Sequence, residues 1–346
     1  MSHAITVLPS NREFTAHDDE TVLMAAIRQG IGLPYGCKDG ACGSCKCKKI
    51  SGEVRLDAYQ AKALSEAELA DGFILTCRAH AQSDLVLESR QVVEAGAFPI
   101  RKMPARVASL ERLAPDVMRV KLQLPATEAV QYHAGQYMDV LLRSGERRSY
   151  SMGNAPHTVG NEQKAIELHI RHMPGGQFTD HVFGAMKEKE IMRIEGPFGS
   201  FFLREDSDKP IILLASGTGF APIKALLEHM THKGITRPTH LYWGGRRPQD
   251  LYLSDWVQAF AQAHPWLSYV PVISDALPED AWQGRTGFVH RAVLADHPDL
   301  SGHEVYACGA PVVINAAQRD FVSEARLDAE AFYADAFTSA ADQAQA

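Results

Sequence analysis

The spacing of hydrophobic and polar residues changes twice along the chain, and each stretch predicts a different kind of structure. Over the first ninety residues, short runs of alternating apolar and polar positions predict a small mixed sheet. One apolar stripe at helical spacing, over residues 21–29, predicts a helix that crosses this sheet, with Asp18 or Asp19 as its cap. The pattern Ser65-x-x-Glu68 predicts a capping box on a second, shorter helix. The predicted strands cover residues 4–9, 12–16, 46–52, 73–77 and 85–87.

The middle hundred residues keep a two-residue period. Alternation over residues 105–112, 117–124, 136–142 and 166–172 predicts an antiparallel β-barrel. The sequence Gly-Pro-Phe-Gly at residues 196–199 predicts a turn that closes this barrel. Before the barrel, residues 95–104 contain a glycine and two prolines, which predicts a linker.

The remainder of the chain alternates between apolar strands and helical stretches. The alternating stretches are residues 210–215, 221–232, 240–244, 255–263, 267–273, 289–294 and 304–308. Such alternation predicts a doubly wound parallel α/β domain. The expected domains are therefore residues 1–94, 105–206 and 207–346, with residues 95–104 as the linker between the first two.

Composition limits the class of protein. The chain has 346 residues, of which 45% are hydrophobic and 22% charged, as expected of a globular protein with several domains. A formal net charge of −7 and a pI near 6.1 offer no basic surface for nucleic acid. No apolar run is long enough to span a bilayer and no basic-then-apolar leader is present, so we expect a soluble cytoplasmic protein without a membrane partner.

Four of the six cysteines have a spacing typical of one kind of metal centre. Cys37, Cys42 and Cys45 form a C-x4-C-x2-C triplet, and Cys77 follows in a separate segment. This is the spacing of plant-type 2Fe–2S sites, in which four thiolates hold two irons. A zinc site or a set of free thiols is the alternative, but zinc sites more often use C-x2-C pairs, frequently with histidine.

Two short motifs in the barrel region carry groups that suit a phosphorylated ligand with a planar ring. Arg148-Ser-Tyr-Ser151 offers a guanidinium for phosphate and an aromatic face for the ring. Pro174-Gly-Gly-Gln-Phe-Thr179 is a glycine turn before a predicted helix, whose N–H groups and dipole favour a diphosphate. Each motif by itself is equally compatible with a surface strand or an ordinary loop.

The last domain carries three motifs at the ends of predicted strands. Gly217-Thr-Gly-Phe-Ala-Pro222 lies between a strand and a helix, as a dinucleotide turn requires, although it lacks the third glycine of G-x-G-x-x-G. Pro222 is expected at the first position of that helix. Gly245-Arg-Arg-Pro-Gln-Asp-Leu-Tyr252 follows the next strand, and Cys308-Gly-Ala-Pro311 ends a late one. For Cys308, the alternative to a functional role is a buried thiol.

These motifs, in this order, resemble those of the ferredoxin–NADP reductase superfamily fused to a plant-type ferredoxin. The resemblance implies a β-grasp ferredoxin domain with a 2Fe–2S cluster, a β-barrel that holds FAD rather than FMN, and an α/β domain that binds NADH or NADPH. It implies that Arg148 pairs with the flavin diphosphate and that Tyr150 and Ser151 flank the isoalloxazine. The other positions implied at the flavin are Ser149, His169, Ile170, Arg171, Gly175, Gly176, Gln177, Phe178 and Thr179.

The same resemblance implies a set of residues around the nicotinamide dinucleotide. These are Gly217, Thr218, Gly219 and Pro222 at the glycine turn, Arg246 and Asp250 beside the adenosine ribose, and Cys308, Gly309 and Pro311 near the nicotinamide. A C-terminal aromatic residue, Phe337 by position, is implied to cover the flavin ring where the nicotinamide enters. Cys308, Phe337 and Thr218 are the expected catalytic residues. NADH is favoured over NADPH, since relatives with a fused ferredoxin domain mostly use NADH.

NAD(P)H releases two electrons together as a hydride, whereas a 2Fe–2S cluster accepts one electron at a time, and a flavin can connect the two. The resemblance thus implies electron transfer from NAD(P)H through FAD and 2Fe–2S to an external acceptor. The chain resembles the reductase components of bacterial ring-hydroxylating dioxygenases and soluble monooxygenases. It resembles equally the CDP-6-deoxy-3,4-glucoseen reductase-like partners of a deoxysugar dehydrase. The alternatives are a stand-alone diaphorase that reduces small acceptors and a non-catalytic iron–sulfur sensor. A rim near Tyr35, Lys38 and Asp39 is the expected docking surface for the partner.

Overall fold

The computed structural model describes residues 2–89, 91–94, 98–126, 130–159 and 165–338. The chain forms two compact units. The first contains the described residues of 1–98, 199–201 and 334–346, and the second contains those of 99–198 and 202–333. The second unit thus includes most of two predicted domains, the barrel and the parallel α/β domain. Residues 95–97 of the predicted linker lie outside the described residues.

The first unit is built on a five-stranded mixed sheet. The strands of this unit are β1 (Ser2–Leu8), β2 (Arg12–His17), β3 (Ile31–Gly32), β4 (Lys46–Ser51), β5 (Val54–Leu56), β6 (Phe73–Leu75), β7 (Ala79–Ala81), β8 (Leu85–Glu88) and β9 (Val93–Glu94), and its helices are α1 (Val22–Arg28) and α2 (Glu66–Ala70). Outside the five-stranded sheet, β3 pairs with β9 and β5 pairs with β7. The strand order is β2-β1-β8-β4-β6, with β1 and β8 parallel and the other neighbours antiparallel. Helix α1 buries Val22, Leu23, Ala25 and Ala26. The predicted β-grasp fold is confirmed.

Side-chain hydrogen bonds define where the two helices of this unit begin. Helix α2 starts with the predicted capping box, in which Ser65 Oγ accepts a bond from Glu68 N (3.3 Å) and Glu68 Oε2 accepts one from Ser65 N (2.9 Å). Helix α1 is capped by Thr21, whose Oγ1 accepts a bond from Met24 N (3.3 Å). The predicted cap at Asp18 or Asp19 is therefore wrong, because both residues lie in the turn before Thr21 and not next to the first helical residue.

The barrel of the second unit is a six-stranded antiparallel sheet. Its elements are β10 (Arg101–Ala114), β11 (Val117–Gln123), β12 (Tyr137–Leu141), β13 (Arg147–Ser151), β14 (Ala165–Arg171), α3 (Gln177–Gly184) and β15 (Ile191–Phe198). The order is β13-β12-β15-β10-β11-β14, and an antiparallel bridge between Met152 and Leu168 joins its two ends. The predicted antiparallel barrel is confirmed.

Two details of the predicted barrel are corrected. Residues 196–198 are the end of strand β15 and not part of a turn, because Gly196 pairs with Arg101 and lets the sulfur of Met138 pack against its backbone. A Cβ at Gly196 would lie 2.4 Å from Met138 Sδ. The predicted linker also extends too far, since β10 already begins at Arg101. Pro104 fits there because this part of β10 pairs with β15 only, so one side of the strand needs no N–H donor.

The rest of the second unit is the α/β domain. Its elements are β16 (Ile211–Ser216), α4 (Phe220–Lys233), β17 (Thr239–Gly245), α5 (Ser254–Ala263), β18 (Leu267–Ile273), β19 (Arg285–Thr286), α6 (Val289–Asp296), β20 (Glu304–Gly309), α7 (Pro311–Glu324) and β21 (Phe332–Ala336), of which β21 ends beyond the unit. The order is β19-β18-β17-β16-β20-β21, and the first five strands are parallel. Strands β17, β18 and β19 lie on one side of β16, whereas β20 lies on its other side, so the strand order reverses between β16 and β20. Ligands of doubly wound domains bind at the carboxyl ends of the strands at such a reversal.

Helix α4 begins one residue before the predicted stretch 221–232. Phe220 is its first residue, so Pro222 stands third and not first. Proline is tolerated there because the N–H groups of the first turn have no acceptor within the helix. In the part of the chain that the structure describes, no helix is long and apolar enough to cross a membrane.

Candidate functional site

The four predicted cysteine ligands lie together in the first unit. Cys37 and Cys42 lie in the loop before β4, Cys45 directly precedes β4, and Cys77 follows β6. The Sγ atoms of Cys45 and Cys77 are 3.1 Å apart. The backbone and hydroxyl of Thr76 both donate to Cys45 O, at 3.1 Å and 3.2 Å, and this fixes the two segments side by side.

The cysteine loop directs backbone N–H groups at sulfur. Cys37 N donates to Cys42 Sγ, and Asp39 N donates to Cys37 Sγ, both at 3.4 Å. Gly43 has a φ of +80°, and a Cβ there would lie 3.0 Å from Ala63 O, so the close approach of the 60–64 segment requires glycine. N–H donors to the sulfurs help to set the redox potential of iron–sulfur clusters.

The arrangement of the sulfurs fits a two-iron centre. The Cys45 thiol lies close to that of Cys77, and the Cys37 thiol is hydrogen-bonded to that of Cys42. The four thiols therefore form two pairs. The contact with Cys77 and burial both raise the pKa of the Cys45 thiol, and a bound cation would favour the thiolate of this residue. Two irons with two thiolates each would satisfy these observations.

The docking rim expected from the sequence is only partly exposed. Tyr35 is 8% exposed, its N–H donates to Ser200 Oγ at 2.8 Å, and its carbonyl accepts from Ser200. The expectation for Tyr35 is therefore wrong, because its backbone is used inside the unit. Lys38 is half-buried and Asp39 is exposed.

The two motifs predicted to hold flavin come together on the barrel. The ring of Tyr150, on β13, lies 5.5 Å from the ring of Phe178, in the first turn of α3. Arg148 is bonded to Glu146 at 3.0 Å, and Ser144, in the same hairpin, contacts Gln177 Oε1 at 3.5 Å. The arrangement places a guanidinium, an aromatic face and a helix N-terminus side by side, which suits a diphosphate joined to a planar ring.

Two hydroxyl groups of these motifs have internal partners. Ser149 Oγ donates to the buried Asp139 at 2.6 Å, inside the sheet. Thr179 Oγ1 donates to Met173 O at 2.8 Å and so closes the glycine turn. Gly176 is required in that turn, since a Cβ there would lie 2.8 Å from Thr179 Oγ1 and 2.9 Å from Met173 O. Ser151 is buried at the end of β13, and Gly175 takes a φ of +83°.

The glycine turn after β16 packs directly on the end of β20. A Cβ on Gly219 would lie 2.1 Å from Cys308 O, and one on Gly309 would lie 2.5 Å from Ser216 O. Only glycine permits this contact of backbone with backbone, which places both predicted dinucleotide motifs at the reversal of the sheet. Pro311 starts helix α7 directly after the second motif. Thr218 is 9% exposed.

The side chains of two predicted catalytic residues have different surroundings. Cys308 is fully buried, and its carbonyl oxygen is the group that meets Gly219. Phe337 is half-buried after β21. The catalytic roles of Cys308 and Phe337 stay predictions.

Asp250, expected beside the adenosine ribose, is buried and fixes the turn after β17. Its Oδ2 accepts bonds from Arg246 N (2.8 Å) and Arg247 N (3.3 Å), and its Oδ1 accepts one from Arg171 (3.1 Å). The side chain of Arg246 is 69% exposed, whereas Arg247 makes a two-pronged pair with Asp280 at 2.6 and 2.7 Å. Only Arg246 of these two arginines extends into solvent.

Strand β14 directs its predicted flavin residues in opposite directions. The Ile170 side chain is fully buried in the barrel core, so this residue could meet the flavin only through its backbone, and its place at the flavin stays a prediction. His169 and Arg171 point the other way, because side chains alternate along a strand, and they contact Tyr252 and Asp250 of the α/β domain.

Two residues that the motifs did not include lie at the same end of the parallel sheet. Asp275 follows β18, and its N–H donates to Arg246 O at 2.9 Å. Phe288, 67% exposed, precedes α6, and its neighbour Val289 packs against Gly244 at the end of β17. Their position after parallel strands was the available signal, since ligands bind at this edge.

Comparisons with known proteins agree with this division of the chain. Residues 5–82 match the 2Fe-2S iron-sulfur cluster binding domain, residues 104–203 the oxidoreductase FAD-binding domain, and residues 213–319 the oxidoreductase NAD-binding domain. The three matches follow one another in the order predicted from the motifs.

Relatives extend over almost the whole chain. The CDP-6-deoxy-L-threo-D-glycero-4-hexulose-3-dehydrase reductase of Yersinia pestis is 43% identical over 97% of this chain and 99% of its own. A terephthalate 1,2-dioxygenase reductase component from Comamonas sp. is 34% identical over 98% of both chains. The crystal structure of the Amycolatopsis cytochrome P450 reductase GcoB is similar over 97% of this chain and 99% of its own, with 31% identity and a TM-score of 0.77. The chain therefore belongs to the iron–sulfur flavoprotein reductases, which pass electrons from NAD(P)H through FAD and a 2Fe–2S centre to a partner enzyme.

Proposed function

We propose that this reductase supplies electrons to a dehydrase that acts on a CDP-linked 6-deoxy-4-hexulose. One observation carries the choice of partner: the dehydrase reductase of Yersinia pestis is 43% identical along nearly the full length of both chains. The dioxygenase reductase component from Comamonas is 34% identical over a similar length. Because the two matches cover 97% and 98% of this chain, the difference in identity is not caused by a part of the chain that one match leaves out.

The residues of this chain would hold three redox groups, whose order along the sequence is the reverse of the order in which electrons pass. When bound, the nicotinamide would supply a hydride, the flavin would release its two electrons singly, and the 2Fe–2S centre would pass them on. Cys37, Cys42, Cys45 and Cys77 would hold the irons. Arg148, Tyr150 and the first turn of α3 would hold the flavin by charge, ring contact and N–H groups. The glycine turns at residues 217–219 and 309 would let the dinucleotide approach the backbone.

NADH is the proposed electron donor. Of the two arginines that could pair with a 2′-phosphate, Arg247 is already paired with Asp280, and Arg246 Nε lies 3.4 Å from Asp250 Oδ2. Asp275 lies beside Arg246 in a backbone hydrogen bond, at the edge where the adenosine ribose is expected. An acidic side chain there favours a free 2′-hydroxyl and repels a 2′-phosphate.

A cytoplasmic location is part of the proposal. The four cluster cysteines must stay reduced as thiolates, and none of the six cysteines, all within the described residues, forms a disulfide. The reducing conditions of the cytoplasm keep such thiols out of disulfides.

The test is reconstitution of electron delivery, under anaerobic conditions with the dehydrase and with oxygen supplied for the oxygenase. The purified reductase, loaded with both cofactors, is mixed with NADH and either the dehydrase with its CDP-linked substrate or the oxygenase component of a ring-hydroxylating dioxygenase. We expect one NADH to be consumed per deoxygenated sugar formed, since each hydride provides the two electrons of one reduction. Turnover of the oxygenase with none of the dehydrase would refute the proposed partner and leave the electron path itself intact.

An oxygenase is the second candidate partner. It is favoured by the Comamonas relative and by the likeness to the Amycolatopsis cytochrome P450 reductase, which both cover more than nine-tenths of this chain. In the reconstitution above, oxygen-dependent product formed with the oxygenase component would support this alternative.

A further inference from the structure

The outward face of strand β14 carries three polar residues in succession. Glu167, His169 and Arg171 alternate with Leu168 and Ile170, which are fully buried in the barrel core. The side chains of Glu167 and His169 are 8% and 0% exposed, although they point away from that core. Something other than the barrel must therefore cover them.

The α/β domain covers this face, and each of the three residues has a partner there. Glu167 Oε1 lies 3.3 Å from Lys224 Nζ on helix α4. His169 Nδ1 is bonded to Tyr252 OH at 2.8 Å, and Arg171 Nη2 donates to Asp250 Oδ1 at 3.1 Å. We call these six residues the β14 seam. His169 and Arg171 are two residues apart on β14, and their partners Tyr252 and Asp250 are two residues apart on the segment after β17.

The protonation states in the seam are consistent with one set of donors and acceptors. Burial opposes the charge on Glu167, but the hydrogen bond from His169 and the nearby Lys224 outweigh it and lower the pKa of Glu167 to about 2. Burial lowers the pKa of His169 despite that carboxylate. A neutral His169 donates from Nε2 to Glu167 (2.8 Å) and accepts at Nδ1 from Tyr252.

A second row of contacts runs along helix α4. Lys224 Nζ donates to Gly153 O (2.9 Å), and Glu228 Oε2 accepts from Ala155 N (2.9 Å). One turn further, the ring of His232 stacks on that of His157 at 3.9 Å. This row joins the segment that follows the flavin motif of β13 to the helix that follows the glycine turn of β16.

Arg171 makes the most direct link between the two sites. Its Nε lies 2.9 Å from Asp116 in the barrel, and its Nη1 lies 2.9 Å from where a Cβ of Gly217 would be. Through Asp250 it also fixes the backbone of residues 246 and 247. One side chain of the flavin domain therefore contacts both turns predicted to hold the dinucleotide.

We propose that the β14 seam positions the dinucleotide turns against the flavin strand and so sets the distance over which the hydride moves. Arg171 and His169 are positioning residues and do not contact the flavin through their side chains. This goes beyond the identity of the partner enzyme, since it concerns only the step from NADH to flavin. A misplacement of about 1 Å at a reacting pair costs on the order of a hundredfold in rate, so loss of one link should be measurable.

The experiment compares Arg171→Met, Arg171→Lys and Asp250→Asn in the full-length, cofactor-loaded enzyme. Arg106→Met serves as the matched control, because Arg106 is an exposed barrel arginine bonded to Gln123 and outside the seam. Anaerobic stopped-flow mixing with NADH gives the limiting rate of flavin reduction. Separate titrations give the Kd for NAD+ and the FAD content, and the melting temperature reports on the fold.

We expect Arg171→Met to lower the limiting rate about tenfold to a hundredfold, with the Kd for NAD+ changed less than threefold and FAD retained. Arg171→Lys should recover part of the rate, since it keeps the charge but cannot reach both carboxylates. An unchanged limiting rate would refute the proposal. Loss of FAD would make Arg171 a flavin ligand, and a raised Kd with an unchanged rate would make it a dinucleotide ligand; either result overturns the positioning role. If Arg171→Met does not fold, the near-isosteric Asp250→Asn removes the negative charge that Arg171 meets and carries an expectation in the same direction.

Discussion

Replacing Gly219 with alanine tests whether the dinucleotide site depends on the close contact of two backbones. In the structure, the added Cβ would lie 2.1 Å from Cys308 O, 2.4 Å from Cys308 C and 2.7 Å from Gly309 Cα. All three atoms belong to main chain at the end of β20, so no side-chain rotation can relieve the clash. The turn after β16 and the end of β20 must therefore move apart.

The required movement can be estimated from the contact itself. Ordinary van der Waals contact begins at 3.4 Å, so the two segments must separate by about 1.3 Å at this point. Forcing extra volume into a packed site costs about 1–3 kcal/mol of unfolding free energy. A displacement of about 1 Å in a site that orients its substrate costs on the order of a hundredfold in kcat/KM.

The assay measures NADH oxidation with ferricyanide as acceptor, together with FAD content and the melting temperature. Gly302→Ala is the matched control, because it adds the same methyl group in the same domain with nothing within 4 Å of its Cβ. We expect Gly219→Ala to lose about a hundredfold in kcat/KM for NADH while keeping its FAD, and Gly302→Ala to match the wild type. If Gly219→Ala keeps wild-type kcat/KM, the contact with Cys308 does not shape the dinucleotide site.

Three further changes test other parts of the molecule. Cys42→Ser should abolish cytochrome c reduction by NADH and spare ferricyanide reduction, which the flavin can support directly; surviving cytochrome c reduction would favour the diaphorase alternative. Asp275→Ala should raise kcat/KM for NADPH relative to NADH roughly tenfold, equivalent to about 1.4 kcal/mol, and an unchanged ratio would remove Asp275 from donor selection. Glu167→Gln should lose about 3 kcal/mol of unfolding free energy at pH 7, because the pKa of Glu167 is lowered from 4.5 to about 2. Because the pKa of Glu167 is lower in the folded state, its charge stabilises the fold above pH 4.5, and this contribution is lost as the pH falls towards 2. The difference in unfolding free energy between wild type and variant, measured by urea denaturation, should therefore shrink between pH 4.5 and pH 2. A difference that does not change with pH would contradict a charged Glu167.

The sequence was most informative where chemistry depends on neighbours in the chain. The cysteine spacing in the loop before β4, the capping box at Ser65 and the glycine turn before α4 each depend on a few consecutive residues. The change from a two-residue period to strand–helix alternation predicted the barrel and the α/β domain in the correct order. Local rules of this kind need no knowledge of what packs on them.

The predictions that failed concern surroundings that are distant in sequence. Tyr35 looked exposed beside the cysteine loop, but its backbone meets Ser200, 165 residues away in the chain. Gly196 looked like a turn residue, but Met138 packs against it in a neighbouring strand. Neither contact can be predicted from the residues that flank Tyr35 or Gly196.

The sequence by itself determined which redox groups this protein holds and in what order, because thiolate spacing, glycine turns and strand–helix boundaries are local. Only the tertiary structure decided which residues the side chains of His169, Ile170 and Arg171 contact. Strand alternation indicates that Ile170 faces opposite to its two neighbours, but barrel closure decides which side is core. The partners of His169 and Arg171, Tyr252 and Asp250, lie about eighty residues further along the chain, and folding of the α/β domain onto β14 brings them into contact.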